Sequence, residues 1–261
     1  KHCLLLAIGM IAFLTPCLSH AEEPSRPRLV VLICFDQLRA DYLTRWQVGF
    51  GEDGFRRMMT EGAWYSNCHY PYAYNVTGAG HASVATGASP RVHGVVGTDR
   101  YDLVLTTADG KPTLRKKGGS GPDQLMVTTL ADELKKATEG KGKVVGLSFK
   151  NRGAILLTGK SGDAVYWMDG STGQFVTSTF YRDTPHEWVT RYNQSNPTQR
   201  WRGKTWERLL PDLDYEKLSG PDDVPEEGTG AGQGRTFPHP FEPTDPKAKS
   251  DFFDAIYLSP F

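Results

Sequence analysis

Cysteine is scarce in this sequence: four among 261 residues, and no two of them form a Cys-x-x-Cys pair. That excludes a zinc site built from paired thiolates. Neither sign of charge is in excess, because 30 Lys and Arg balance 30 Asp and Glu. A chain without surplus positive charge lacks the counter-charge that a nucleic-acid coat protein needs. Nothing after residue 21 is long and apolar enough for a membrane anchor. No internal repeat is present. What remains is the composition of a folded protein. Hydrophobic residues make up 38% and aromatics 11%, too much for wholesale disorder. The length suits one large domain or two small ones, and 28 Gly with 17 Pro predict many turns.

The first 21 residues carry their own pattern. Lys1 and His2 precede an apolar run, Leu4 to Leu14, which Pro16 breaks. Ser19 and Ala21 then put small residues at the −3 and −1 positions of a cleavage site. That order is a secretory signal peptide, and it predicts a periplasmic or secreted product. Pro16 stands where a lipid-attachment motif before Cys17 would need a small residue, so lipidation is not expected. The chain starts at Lys1, and Ser259-Pro260-Phe261 has no tail character, so it is expected to be cut at both ends. Cys3 and Cys17 would leave with the leader. Cys34 and Cys68 would stay, and export would let them pair. A buried thiol at Cys34, inside an apolar strand, fits equally well.

Patterning along the rest predicts an α/β fold. Leu29 to Phe35 is a continuous, β-branched apolar run, as in a central strand covered on both faces. Phe55 to Met59 reads as a short helix stopped at Glu61-Gly62, and Ala63 to Tyr72 as strand-like. Thr77 to Thr86 is a helix of small residues stopped by Gly87 and Pro90. Residues 102–122 read as a polar loop. A helix is expected from Pro122-Asp123 to about Thr138, with apolar residues at Met126, Leu130 and Leu134. Lys143 to Phe149 reads as a second buried strand. Tyr166 to Met168, a turn at Asp169-Gly170, and Phe175 to Tyr181 predict a hairpin. A helix follows over Glu187 to Asn193, and residues 219–250 are rich in Gly, Pro and charge. The division expected is a leader over residues 1–21, a core part over 22–159 and an inserted cap over 160–261.

Chemistry collects where strands end. In open α/β sheets, ligands bind beyond the carboxyl ends of the strands. Asp36 directly follows the first strand and can serve as a hard oxygen ligand or a helix cap. Thr77 opens a helix in Asn75-Val76-Thr77-Gly78-Ala79-Gly80-His81. There the free N–H groups favour an anion, and Gly78 and Gly80 let a ligand approach the backbone. A threonine hydroxyl becomes a nucleophile only with a base or a metal beside it; otherwise it simply caps its helix. Lys150 and Arg152 alternate, so a continued strand would turn both to one side, where a point charge and a planar fork suit an oxyanion. His69, His81, His93, His186 and His239 lack a paired ligand pattern and are read as structural.

Three segments resemble the alkaline phosphatase superfamily in its type I phosphodiesterase/nucleotide pyrophosphatase branch. They are LVVLICFDQLRADYL, EGAWYSNCHYPYAYNVTGAGHASVATGASPRVHGVVG and KVVGLSFKNRGAI. Within that branch the chain is most similar to exported bacterial enzymes with a Thr nucleophile and a Lys-x-Arg pair. The resemblance runs from about residue 28 to the end and is weaker after 160. It implies a central, mostly parallel sheet flanked by helices, with an inserted cap and the domain incomplete. It implies zinc, two ions in the complete domain, with Asp36 and Thr77 as ligands. Thr77 would be the nucleophile and become phosphorylated, while Lys150 and Arg152 hold the phosphoryl oxygens. The family's Gly-Asn-x-Trp-Tyr-Asp segment reads Gly97-Thr98-Asp99-Arg100-Tyr101-Asp102 here. Thr98 therefore takes the place of a phosphoryl-binding Asn, and Arg100 that of the Trp.

The resemblance makes a zinc-dependent phosphomonoesterase acting on small phosphate esters the leading expectation. The alternatives are a phosphodiesterase or nucleotide pyrophosphatase of the same superfamily, and a non-catalytic, truncated or degenerate module. A sulfatase is the weaker alternative, because Thr77-Gly78-Ala79-Gly80-His81 cannot supply the Cys or Ser that those enzymes modify.

Overall fold

The computed structural model describes residues 27–97, 105–106, 112–113, 121–242 and 252–258. The leader and Thr98 lie outside the described residues. The chain divides into two units, Lys1–Phe35 and Asp36–Phe261.

In the first unit, residues 29–35 form no strand, against expectation. Leu29 is 77% exposed and Val31 67%, and Leu32, Ile33 and Phe35 are exposed too. An apolar run provides two greasy faces, but only hydrogen bonds from neighbouring strands make it a strand. Cys34 is half-buried.

The second unit opens with two short helices, α1 (Tyr42–Arg45) and α2 (Arg57–Glu61). Residues 63–76 contain turns and bends and no strand, so the expected strand at Ala63–Tyr72 is absent. Tyr65 is 80% exposed, while the Tyr72 hydroxyl donates to Ser83 Oγ at 2.7 Å. Tyr70 and Tyr72 pack ring against ring at 5.3 Å, but without a ladder to a neighbouring strand. Cys68 is an exposed free thiol.

Helix α3 (Thr77–Thr86) has the boundaries that its sequence announces. Gly87 ends it at φ 66°, a left-handed conformation that costs glycine nothing. A short α4 (Pro90–His93) follows, then strands β1 (Leu105–Thr106) and β2 (Pro112–Thr113). Helix α5 (Leu130–Ala137) starts later than the periodicity predicts. Thr129 accepts the Asp132 N–H at 3.1 Å, and Asp132 accepts the Thr129 N–H at 3.0 Å. This reciprocal capping fixes the start at residue 130. The exposed face of α5 carries Leu130 and Leu134, and its one buried residue is Asp132.

Strand β3 (Val145–Ser148), helix α6 (Asn151–Thr158) and strand β4 (Ala164–Asp169) form a βαβ unit, with β3 and β4 parallel. Strand β5 (Gln174–Ser178) returns antiparallel as the predicted hairpin. Among the described residues the sheet order is β2-β1-β5-β4-β3, with β3–β4 the parallel pair and the rest antiparallel. The parallel pairing joins residues on either side of the 159/160 boundary, where the cap is expected to begin. Helix α7 (Glu187–Gln194) matches its predicted span. Strand β6 (Thr205–Trp206), helix α8 (Tyr215–Ser219), strand β7 (His239–Pro240) and helix α9 (Phe252–Leu258) complete the described elements.

Packing follows the strand period of two. From β4, Val165 and Trp167 join Ala154 and Ile155 of α6 and Val176 of β5. Ala164 and Tyr166 meet Val189 of α7 on the other face. Ala82 of α3 and Leu156 of α6 share a cluster with Val95 and Leu125. That cluster locks α3 onto α6, and with it the N-terminal ends where the candidate residues sit. Full burial of a side chain such as Leu156 is worth roughly 1.5–3 kcal/mol.

Candidate functional site

Asp36 stands in a tight turn, followed by Gln37 at φ 61°. A non-glycine residue with positive φ marks a constrained backbone. The turn sets the Asp36 carboxylate against the start of α3. The Thr77 hydroxyl donates toward Asp36 Oδ2 at 3.2 Å and Oδ1 at 3.4 Å. Lys150 Nζ lies 4.0 Å from Asp36 Oδ2, at the outer limit of an ion pair. Both of these side chains are about one third exposed, so water screens that attraction. Three of the residues picked out by sequence, Asp36, Thr77 and Lys150, are thus brought together.

Lys150 and Arg152 reach this end of the fold differently from the expectation. The chain does not continue as a strand. Lys150 is the residue before α6, and Arg152 lies in that helix's first turn. Arg152 Nε is buried with no hydrogen-bond partner among the described residues. A buried cationic donor without an acceptor is expensive, and anionic oxygen is the ligand that removes the cost.

A second layer supports the cluster. His81, 7% exposed, is one turn beyond Thr77, and its Nδ1 bonds the Thr77 carbonyl at 2.8 Å. The Lys150 N–H donates to Ser148 Oγ at 3.2 Å. A Cβ on Gly153 would lie 2.5 Å from Ser148 Oγ, so only glycine fits there. Sequence reading set His81 aside as structural and missed Ser148 and Gly153. The available signal was the i, i+4 spacing of Thr77 and His81 on one helix.

Two further histidines, His93 and His186, serve the scaffold. His93 is fully buried between Ser83 Oγ at 3.0 Å and the Val95 N–H at 3.1 Å, and burial lowers its pKa. His186 bonds the buried Tyr166 hydroxyl at 2.7 Å, and burial, aided by Arg182, lowers its pKa as well. Among the described residues no group of three or more His, Cys, Asp or Glu could hold a metal ion.

Residues 30–224 match the family model of the type I phosphodiesterases and nucleotide pyrophosphatases. The chain belongs to that family. Alkaline phosphatase PafA of Elizabethkingia meningoseptica is 38% identical over 247 residues, 90% of this chain and 44% of that protein. Alkaline phosphatase PhoV of Synechococcus elongatus is 35% identical over 231 residues, covering 85% and 42%. A protein of Myroides odoratus named calcium-transporting ATPase is 34% identical over 240 residues, covering 88% and 44%. The crystal structure of wild-type PafA aligns with a TM-score of 0.67 at 35% identity, over 78% of this chain and 41% of that one. A PafA variant of known structure is substituted at one threonine, one asparagine, one lysine and one arginine. This member of the family spans less than half the length of the curated relatives it matches.

Proposed function

We propose that the protein containing this chain is an exported, zinc-dependent phosphatase that hydrolyses small phosphate monoesters through a phosphothreonine at Thr77. One observation carries the reading. The hydroxyl that opens α3 points at the Asp36 carboxylate, with the Lys150 ammonium 4.0 Å from that same carboxylate. The family supports it, as do the PafA and PhoV relatives. The PafA variant supports the choice of residues. Its threonine and asparagine are separated as Thr77 and Thr98 are here, and its lysine and arginine as Lys150 and Arg152 are. Export rests on the pattern of residues 1–21. No helix among the described residues is long and apolar enough to cross a membrane.

The donor set fits part of a zinc site. Two oxygens bound at 2.0–2.2 Å in a tetrahedral shell stand about 3.3–3.6 Å apart. The Asp36–Thr77 separations are 3.2 and 3.4 Å. Asp36 and Thr77 would therefore supply two ligands of one ion. Bound there, zinc would make the hydroxyl more acidic and offset negative charge on the reacting phosphate.

The chain's own residues divide the remaining work. Thr77 presents its oxygen to phosphorus; the Thr77 Oγ–P bond forms as the bond to the leaving alcohol breaks, and water later releases phosphate. Lys150 and the Arg152 guanidinium, whose Nε is buried, neutralise the non-bridging oxygens. Two cations match the dianion of a monoester better than the monoanion of a diester.

The test is to incubate the full-length protein that contains this chain, with zinc, with p-nitrophenyl phosphate, quench it in acid and map phosphorylated peptides. The expected result is phosphate on Thr77. Turnover with phosphate on another residue, or with Thr77→Ala as active as the parent, overturns the reading.

A further inference from the structure

We propose that Ser83 is a positioning residue: its hydroxyl ties the segment leading into Thr77 to the buried His93, and so holds Thr77 in place at the start of α3. The inference rests on the reading of Thr77 as nucleophile. Thr77 is the first residue of α3, and the cap position before it is Val76, which has no side-chain acceptor for the free N–H groups of the first turn. A side-chain cap is worth about 1 kcal/mol, and a helix end without one is prone to fray. The stretch before the helix, residues 63–76, has turns and bends but no strand to hold it. The entry into the helix must therefore be fixed by side chains.

Tyr72 stands five residues before Thr77 and supplies the first link. Its hydroxyl donates to Ser83 Oγ at 2.7 Å and lies 3.3 Å from the Ala79 carbonyl. That bond crosses from the entry segment to the middle of α3. A Cβ on Gly80 would lie 3.2 Å from Asn75 Oδ1, so the same segment runs close along the helix. The second link joins α3 to α4, because Ser83 Oγ also bonds His93 Nε2 at 3.0 Å. A serine oxygen has two lone pairs, so one hydroxyl can serve both partners. His93 is the fixed end of the line. It is fully buried, its Nδ1 accepts the Val95 N–H at 3.1 Å, and its carbonyl accepts the Met126 N–H at 3.1 Å. Val95 packs in turn with Ala82, Leu125 and Leu156. The bonds thus run from the core through His93 and Ser83 to Tyr72, and act on the backbone that carries Thr77 rather than on the reacting atoms.

The experiment takes the zinc-loaded, full-length protein that contains this chain and compares it with Ser83→Ala, Tyr72→Phe, the double variant and Thr77→Ala. Phenylalanine removes only the hydroxyl and keeps the ring. With p-nitrophenyl phosphate, Ser83→Ala is expected to lower kcat about 30-fold and Tyr72→Phe about tenfold, with KM within about twofold, since small misplacements act on the reacting geometry. Binding of inorganic phosphate, read by calorimetry and needing no turnover, should stay within about threefold of the parent, because Lys150 and Arg152 keep their places. The double variant should fall no more than about twofold below Ser83→Ala, because Tyr72 acts through Ser83. The proposal is overturned if either single variant keeps parental kcat, if phosphate affinity falls in step with kcat, or if the two losses multiply in the double variant. It is also overturned if the losses only track a lower folded fraction, read by circular dichroism. Parental activity in Thr77→Ala would instead strike the nucleophile reading itself.

Discussion

The Thr77 hydroxyl donates to the Asp36 carboxylate across 41 residues of sequence, at 3.2 Å. That bond joins a turn that no local signal orients to the first residue of a helix whose boundaries are plain from sequence. Each residue alone reads as a helix cap; together, beside Lys150, they form the corner proposed above to take phosphate and zinc.

Lys150 should discriminate between substrates by charge. Lys150→Ala is expected to lower kcat/KM for a phosphate monoester by about 100-fold, the usual cost of removing one donor to developing charge. A diester of the same leaving group should lose far less. Steady-state hydrolysis of both esters checks this, and equal losses would count against the monoesterase reading. Thr98 in place of an Asn makes the comparison more pointed, because a shorter donor favours monoesters less.

Asp132 should hold the fold together from below the site. Its carboxylate accepts the N–H groups of Thr129, Lys160 and Ser161 and the Thr129 hydroxyl. Burial alone would raise its pKa, but the hydrogen bonds from Thr129 and Ser161 outweigh it and the pKa falls below 3.8. A depressed carboxylate contributes stability that is present above its unfolded pKa and lost as pH falls through the folded value. Asp132→Asn should cost about 1–3 kcal/mol in urea unfolding at neutral pH, by leaving buried donors unpaired. The difference from the parent should shrink once the pH drops below the depressed value.

His93 should impose a slope of the same sign at higher pH. Burial lowers its pKa below 6.5, and Nδ1 must stay unprotonated to accept the Val95 N–H. The unfolded chain then binds the proton first. Stability is full above about pH 6.5 and declines as pH falls from there toward the folded pKa. Thermal unfolding of the parent and His93→Gln across pH 5–8 checks this; the variant should lack that part of the slope.

Gly159 should tolerate no side chain. It ends α6 at φ +74°, and a Cβ there would lie 2.5 Å from Asp132 Oδ2 and strike the Thr129 hydroxyl. Gly159→Ala is expected to destabilise by about 2 kcal/mol or more, from backbone strain and crowding together. A melting temperature equal to the parent's would show that the 159–161 corner moves freely.

Legibility in the sequence varied with the range of the forces involved. Helix α3, the β4–β5 hairpin and α7 follow from stop signals, a turn and periodicity, all within a dozen residues. The α5 start was misplaced because apolar spacing hid the reciprocal capping of Thr129 and Asp132. Residues 29–35 and 63–72 have the composition of strands but no strand to pair with in the described residues. Lys150 and Arg152 were expected on one side of a strand, yet α6 begins between them, because the backbone turns at Lys150 into a helix that packs on α3.

The sequence by itself determined the chemical inventory. It supplied a carboxylate after an apolar run, a hydroxyl opening a glycine-flanked helix and a Lys-x-Arg pair, at spacings that mark the family. Local hydrogen bonding and side-chain period also fixed where several elements begin and end, since those forces act between near neighbours. Only the tertiary structure decided which groups meet. The 3.2 Å contact of Thr77 with Asp36 joins groups 41 residues apart, and the approach of Lys150 to that carboxylate goes with α3 packing against α6. That packing is set by apolar burial among Ala82, Val95, Leu125 and Leu156, residues too far apart in the chain for any local pattern to register their contact.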